Sequence, residues 1–307
     1  MAYSIENKLV VGVSSSAVFQ MEKADKIFRK KGVQAYRKYQ KANIAKPLEK
    51  GVAFPFIKRL LGLNAVFEDK PIEVVVLSRN DPESGERFYR SCEHYKLPIV
   101  RGAFLAGSSP YPYIKAFNCC LFLSANKEDV KKAVAEKLPA GLVLPTSAGD
   151  NEKGEQLRVA FDFDGVIADD ESESVFKKRG MRGFNHHEIK DKKIPHNPGP
   201  LKDLLKKISD LQKQELRKNE IDSSYQRLIR IAVITARSAP ANERLITTLN
   251  KWDIAADETF FLGGVGKKGV LEAFKPHIFF DDQLENLIPT AKRIPSVHIP
   301  FGVANKA

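Results

Sequence analysis

A chain of 307 residues, 43% hydrophobic and 29% charged, has room for two ordinary domains and the mixture of a globular rather than a disordered protein. Its longest apolar runs fall well short of the roughly 18 to 20 residues that span a bilayer, and residues 1–8 lack a signal-peptide layout, so a cytoplasmic protein without a membrane partner is expected. The formal charge of +12 would suit a polyanion, but the cations are spread over helical segments such as 202–218. There Leu204, Leu205, Ile208 and Leu211 mark a buried stripe and the lysines a solvated face, so nucleic acid is not an expected partner.

Taken in chain order, residues 9–13 read as an inner strand that ends in Ser14 and Ser16, and residues 74–77 as a second that ends in Ser78, Arg79 and Asn80. A loop from Ser109 through Tyr111 to Tyr113 follows, then the apolar run to Phe122 and Leu123, closed by Ser124. Cys92, Cys119 and Cys120 are odd in number and form no CxxC pair, which predicts reduced thiols. The first domain is expected over 1–145, and the polar, glycine-containing stretch 146–156 is expected to be a linker.

The second half, 157–307, opens with Val159, Ala160 and Phe161 running into two carboxylates, Asp162 and Asp164, followed by Gly165, which allows a tight turn. An open α/β sheet puts ligands at such strand ends. Residues 169–229 are too long for a simple crossover and are expected to form a small cap. Its histidines, His186, His187 and His196, have no thiolate companions and no closed-site spacing, so hydrogen-bonded histidines are expected rather than zinc ligands. Residues 229–234 make a strand that ends in Thr235, Ala236 and Arg237. A glycine-rich loop carries Lys267 and Lys268, and a last apolar run, 277–280, ends in Asp281 and Asp282.

The halves repeat each other. Residues 9–19 align without gaps to 157–167 at an offset of 148, which continues through Phe28, Lys30 and Gly32 onto Phe176, Lys178 and Gly180. From residue 74 the offset becomes 157, so that Ser78 meets Thr235 and Ser124 meets Asp281. The second half thus carries nine extra residues between its first two motifs. A period this long indicates duplicated domains rather than a solenoid. Because Ser14 and Ser16 stand opposite Asp162 and Asp164, the first domain is expected to share the fold without hydrolytic activity.

Asp-x-Asp, Thr, Lys and Asp-Asp, each placed near a strand end, resemble the four-motif signature of haloacid-dehalogenase-type phosphohydrolases. The fold class implied is α/β, two tandem Rossmann-like domains with parallel sheets, the second bearing the cap. The resemblance implies that Asp162 is the nucleophile of an aspartyl-phosphate route and that Asp164 is its acid and base. It further implies that Thr235 and Ala236 bind phosphate, with Lys267 or its neighbour Lys268 offsetting charge. Asp162, Asp164, Asp281 and Asp282 would form the metal set. Clustered acids beside a dianion need a cation, and Mg²⁺ suits oxygen ligands of this kind.

Several further stretches, among them 51–56, 77–80, 109–117, 234–240 and 278–283, are similar to the cytosolic 5′-nucleotidase type I family. That resemblance implies Mg²⁺-dependent hydrolysis of nucleoside 5′-monophosphates such as AMP. Arg79, Asn80, Tyr111 and Tyr113 are the candidate substrate contacts, and a homo-oligomer is compatible with the sequence. The rival readings are a phosphatase of the same mechanism acting on sugar phosphates, and a non-catalytic nucleotide sensor.

Overall fold

The computed structural model describes residues 3–148, 150 and 154–305, and the chain divides into two compact units, Met1–Val143 and Leu144–Ala307. The first contains β1 (Leu9–Val13), α1 (Ser15–Val18), α2 (Glu22–Ala42), α3 (Phe54–Gly62), β2 (Ile72–Ser78), α4 (Pro82–His94), β3 (Arg101–Phe104), α5 (Tyr111–Ala116), β4 (Leu121–Ser124), α6 (Lys127–Ala135) and β5 (Ala140–Val143). Its strands run β3-β2-β1-β4-β5, every neighbouring pair parallel. All residues of β1, β2 and β4 are buried, because helices cover both faces of a parallel sheet, and such strands read as unbroken apolar runs. Val10, Val75, Leu77, Ile114 and Phe122 pack one core here.

The second unit contains β6 (Leu157–Phe161), α7 (Glu171–Lys190), α8 (Lys202–Ile221), β7 (Ile229–Thr235), α9 (Asn242–Lys251), β8 (Glu258–Phe261), α10 (Lys268–Phe274), β9 (Ile278–Asp281), α11 (Leu284–Ala291) and β10 (Ser296–His298). These strands run β10-β9-β6-β7-β8, again parallel. Ala160, Ala232, Ile234, Leu271 and Phe279 form its core. In both units the first strand is flanked on one side by the second and on the other by the fourth. The chain therefore switches direction across the sheet beside its first strand, where a crevice opens at the strand ends.

The internal repeat is visible residue for residue. Leu9 pairs with Ile72 in the first unit and Leu157 with Ile229 in the second, while β2, β3 and β4 begin 157 residues before β7, β8 and β9. Even the break in the long first helix is duplicated: α2 bends at Gly32 (φ 77°) and α7 at Gly180 (φ 62°), a left-handed conformation that glycine tolerates. The kinked helix of the second half thus has a counterpart in the first. The extra length shows in the helix before the second strand, 20 residues in α8 against nine in α3.

Of the stretch expected to be a linker, residues 149 and 151–153 lie outside the described residues. Ser147 is tied to the Lys292 carbonyl, its N–H donating at 3.1 Å and its hydroxyl at 2.8 Å. Cys92, Cys119 and Cys120 are buried free thiols, and burial pushes the first two up to about 12.

Along α8, Leu204, Leu205, Ile208 and Leu211 are buried as the stripe requires, whereas Arg217 is exposed. Ile208→Ala should cost about 2–5 kcal/mol by leaving a cavity against the sheet. Arg217→Ala should stay within about 0.5 kcal/mol of the parent. Urea unfolding followed by Trp252 fluorescence measures both.

Candidate active site

β6 and β9 lie side by side, and the chain leaves both at the same edge of the sheet. Asp162 directly follows β6, its N–H donating to the Phe280 carbonyl at 2.8 Å, so it is fixed against the end of β9. Its Oδ1 accepts from the Phe163 N–H at 2.7 Å. Lys267, the residue before α10, reaches into this edge with Nζ 2.8 Å from Asp162 Oδ2 and 2.6 Å from Asp281 Oδ2. The lysine is 5% exposed, and Lys268 beside it is on the surface. Asp281 Oδ1 is held by the Gln283 N–H at 2.8 Å and by Asn286 at 3.2 Å.

Asp282 is different. It is 1% exposed, and neither carboxylate oxygen has a hydrogen-bond partner. A buried acceptor pair of this kind is costly unless something fills it. Oxygens from Asp162, Asp281 and Asp282 lie within 4.8 Å of one another, a set of hard donors that fits a divalent cation. Gly165 completes the enclosure: it holds φ 74°, and a Cβ there would sit 2.4 Å from Asp282 Oδ2.

The electrostatics follow from crowding. Burial pushes the Asp162 carboxyl up; Lys267 pulls it back and Asp281 adds to the rise. Asp282 is pushed up to about 9, first by burial and then by Asp162 and Asp281. Burial works against the Lys267 charge, but Asp162 and Asp281 outweigh it and hold its pKa above the ordinary lysine value.

Asp164 stands outside the three-carboxylate cluster. Arg237 grips it in a bidentate pair, Nε to Oδ2 at 2.9 Å and Nη2 to Oδ1 at 2.6 Å. The same guanidinium contacts Glu188 through Nη1 and lies over the Phe163 ring at 5.2 Å. Glu188 is fully buried; burial alone would raise its pKa, but His196, Arg237 and Ser172 together hold it well below the carboxylate range. Arg244 closes this network, with Nη1 3.1 Å from Glu188 and Nη2 2.9 Å from Glu171. Sequence reasoning gave Arg237, Glu188 and Arg244 no role. Of the histidines between β6 and β7, His196 is buried beside Phe163 and Arg237, and His187 lies 3.3 Å from Asp191.

Thr235 ends β7, 1% exposed, with its hydroxyl accepting from the Arg237 N–H at 3.2 Å; Ala236 is exposed next to it. The remaining candidates are in the first unit. Arg79 is spent on Asp129 (Nη2 to Oδ1, 2.5 Å) and on the Gly107 carbonyl, and Asn80 follows it at the end of β2. Tyr111 packs on the core of that unit, and Tyr113 is 41% exposed.

Comparison with known proteins adds to this geometry. A family model described as 5′-nucleotidase matches residues 1–306. The human protein named cytosolic 5′-nucleotidase 1B is 34% identical over 302 residues, 95% of this chain and 48% of the human one; the chain spans about half of that relative's length. A crystal structure of histidinol dehydrogenase from Elizabethkingia anophelis aligns over 95% of this chain and 52% of its own. Its 11% identity and TM-score of 0.23 carry no weight for the fold.

Because the native pKa of Asp282 lies above its value of 3.8 in the unfolded chain, the folded state binds a proton that the unfolded state releases. In EDTA, stability should therefore be fullest below pH 4 as far as this group is concerned, and should decline as pH rises toward 9. Asp282→Asn should remove that part of the slope, a difference read from melting temperatures of the two proteins between pH 5 and 9.

Proposed function

The chain belongs to the 5′-nucleotidase family, and on that footing we propose that it is a Mg²⁺-dependent hydrolase of nucleoside 5′-monophosphates such as AMP, working through an aspartyl-phosphate on Asp162. The observation that carries this reading is the buried Asp162–Lys267–Asp281 cluster with the unpartnered Asp282 beside it. In this reading the units are two tandem haloacid-dehalogenase-like domains, the first without catalytic groups and the second capped by the insertion of about 169–229.

Asp162, Asp281 and Asp282 would hold the cation; Mg²⁺ bound there would offset the charge of the phosphoryl oxygens and of the crowded acids. Asp162 attacks phosphorus with a carboxylate oxygen, and the bond from phosphorus to the 5′ oxygen breaks. Asp164 gives its proton to that leaving oxygen, so the nucleoside departs neutral. In the second step Asp164 takes a proton from water, the resulting hydroxide attacks phosphorus, and the acyl-phosphate bond breaks to release phosphate and restore Asp162. Lys267 favours the ionised form of Asp162 against the effect of burial, holds it in position and balances phosphoryl charge. The Thr235 hydroxyl and the N–H groups near Ala236 supply donors to the phosphoryl oxygens. Both Asp164 oxygens are engaged by Arg237, so proton delivery requires this carboxyl to turn away from the guanidinium.

The test is phosphate release from nucleoside 5′- and 3′-monophosphates and sugar phosphates, with Mg²⁺ or EDTA. Metal-dependent release from the 5′-monophosphates alone is expected, reduced at least about a thousandfold in Asp162→Asn. Release confined to sugar phosphates would replace the substrate class, and activity that survives in Asp162→Asn would remove the nucleophile.

A further inference from the structure

The first unit has a cavity of its own. It measures about 680 Å³, inside the usual range of roughly 300–1,000 Å³ for small-molecule sites, and is lined only by residues of that unit. It sits at the carboxyl ends of β1, β2 and β4, at the point where the strand order reverses.

Its floor is a set of serine hydroxyls. Ser78 is 3% exposed, and its Oγ accepts from the Ser15 hydroxyl at 2.9 Å and from the Asn80 N–H at 3.2 Å. Ser124 is fully buried, and its Oγ accepts from the Asn126 N–H at 3.0 Å. Hydroxyls whose lone pairs are occupied in this way have their own protons left to donate. Such a floor suits an acceptor-rich group, above all the oxygens of a phosphate. The acids in the wall are matched by cations: buried Asp81 is paired with Arg37 at 2.5 Å and buried Asp129 with Arg79, while Arg29 and Lys127 line the wall with the exposed Asp25 and Glu128. Each hydroxyl occupies a position that carries chemistry in the second half, Ser14 opposite Asp162, Ser16 opposite Asp164, Ser78 opposite Thr235 and Ser124 opposite Asp281. The phosphate-binding type of residue is retained at Ser78. The carboxylates that would gather a metal or attack phosphorus are replaced.

We propose that the first unit binds a phosphate monoester of nucleotide size in this cavity, without a metal and without hydrolysing it. The route proposed for the second unit needs a carboxylate nucleophile, an acid and base, and a metal-holding carboxylate; Ser14, Ser16 and Ser124 stand at those positions, and a serine hydroxyl attacks phosphorus only when a base or metal activates it, so the ligand leaves unchanged. This proposal does not depend on hydrolysis in the second unit.

The experiment is equilibrium dialysis of the full chain in EDTA with radiolabelled AMP, and with adenosine as the control lacking phosphate. One equivalent of AMP should bind per chain, with adenosine at least about tenfold weaker, the worth of one or two charge-assisted hydrogen bonds. Ser124→Ala, which removes one donor, and Ser16→Asp, which sets a negative charge where the phosphate would lie, should each weaken AMP by about tenfold or more. Both should keep the parent's circular dichroism and its Mg²⁺-dependent phosphate release. Asp281→Asn should leave AMP binding in EDTA intact. The proposal is overturned by an absence of saturable AMP binding, by equal affinity for adenosine, or by binding that survives both serine substitutions, and loss of that binding in Asp281→Asn would assign it to the second unit. Loss of phosphate release in the parent would count only against the hydrolase reading.

Discussion

Three buried carboxylates share one buried ammonium at the edge formed by β6 and β9. Lys267 can satisfy Asp162 and Asp281 at once, but it cannot reach a balance of charge with Asp282 also present. Taking charges out of water costs several kcal/mol per ion even after relaxation, and attraction repays it only when partners and hydrogen bonds are complete. The surroundings are built to hold this deficit in place. Asp162 is pinned by backbone bonds on both sides, Asp281 by Gln283 and Asn286, and the Gly165 turn leaves room for Asp282 that no side chain could spare. A site over-determined in this manner keeps three carboxyl groups together by leaving a proton on Asp282, in an arrangement whose oxygens suit a divalent cation.

The first unit shows the same backbone without that burden. Strand ranges, pairing registers and the glycine break in the first long helix recur at the same offsets, so the fold does not depend on the acids. Serines at the strand ends bond to one another and to nearby N–H groups, which removes the electrostatic cost and leaves a polar hollow. Fold and chemistry are thus separable within one chain: apolar strands set the frame, and the residue just past each strand decides what the frame does.

Much of this was legible because buried parallel strands read as unbroken apolar runs, and an acid or hydroxyl that ends such a run announces the sheet edge. Asp162, Asp281 and Asp282 are legible that way, Lys267 only through the motif resemblance, and the structure gathers all four; it also distinguishes buried Lys267 from exposed Lys268. The Arg237–Glu188–Arg244 network was not legible. Glu188 lies 49 and 56 residues from the two arginines, and it sits in a helix whose sequence, rich in His, Lys and Arg, resembles a solvated face. Only tertiary packing makes that residue fully buried. The 148 offset through Phe28 and Phe176, Lys30 and Lys178, and Gly32 and Gly180 marks α2 and α7 as counterparts, but the helical break at the shared glycine shows only in the backbone.

That network bears directly on how the proposed acid could work. A carboxyl that must give up and regain a proton has to leave its counter-ion, and a buried arginine abandoned by its only partner would incur a large penalty. Arg237 is not in that position. When Asp164 turns away, the guanidinium still holds Glu188 through Nη1 and still lies over Phe163, and Glu188 is in turn held by Arg244 and Ser172. The cost of releasing Asp164 is therefore the loss of one ion pair rather than the exposure of an orphaned buried charge. The Asp164 side chain is 19% exposed against 1% for Arg237, so of this ion pair the group that has to move is also the one that water can reach.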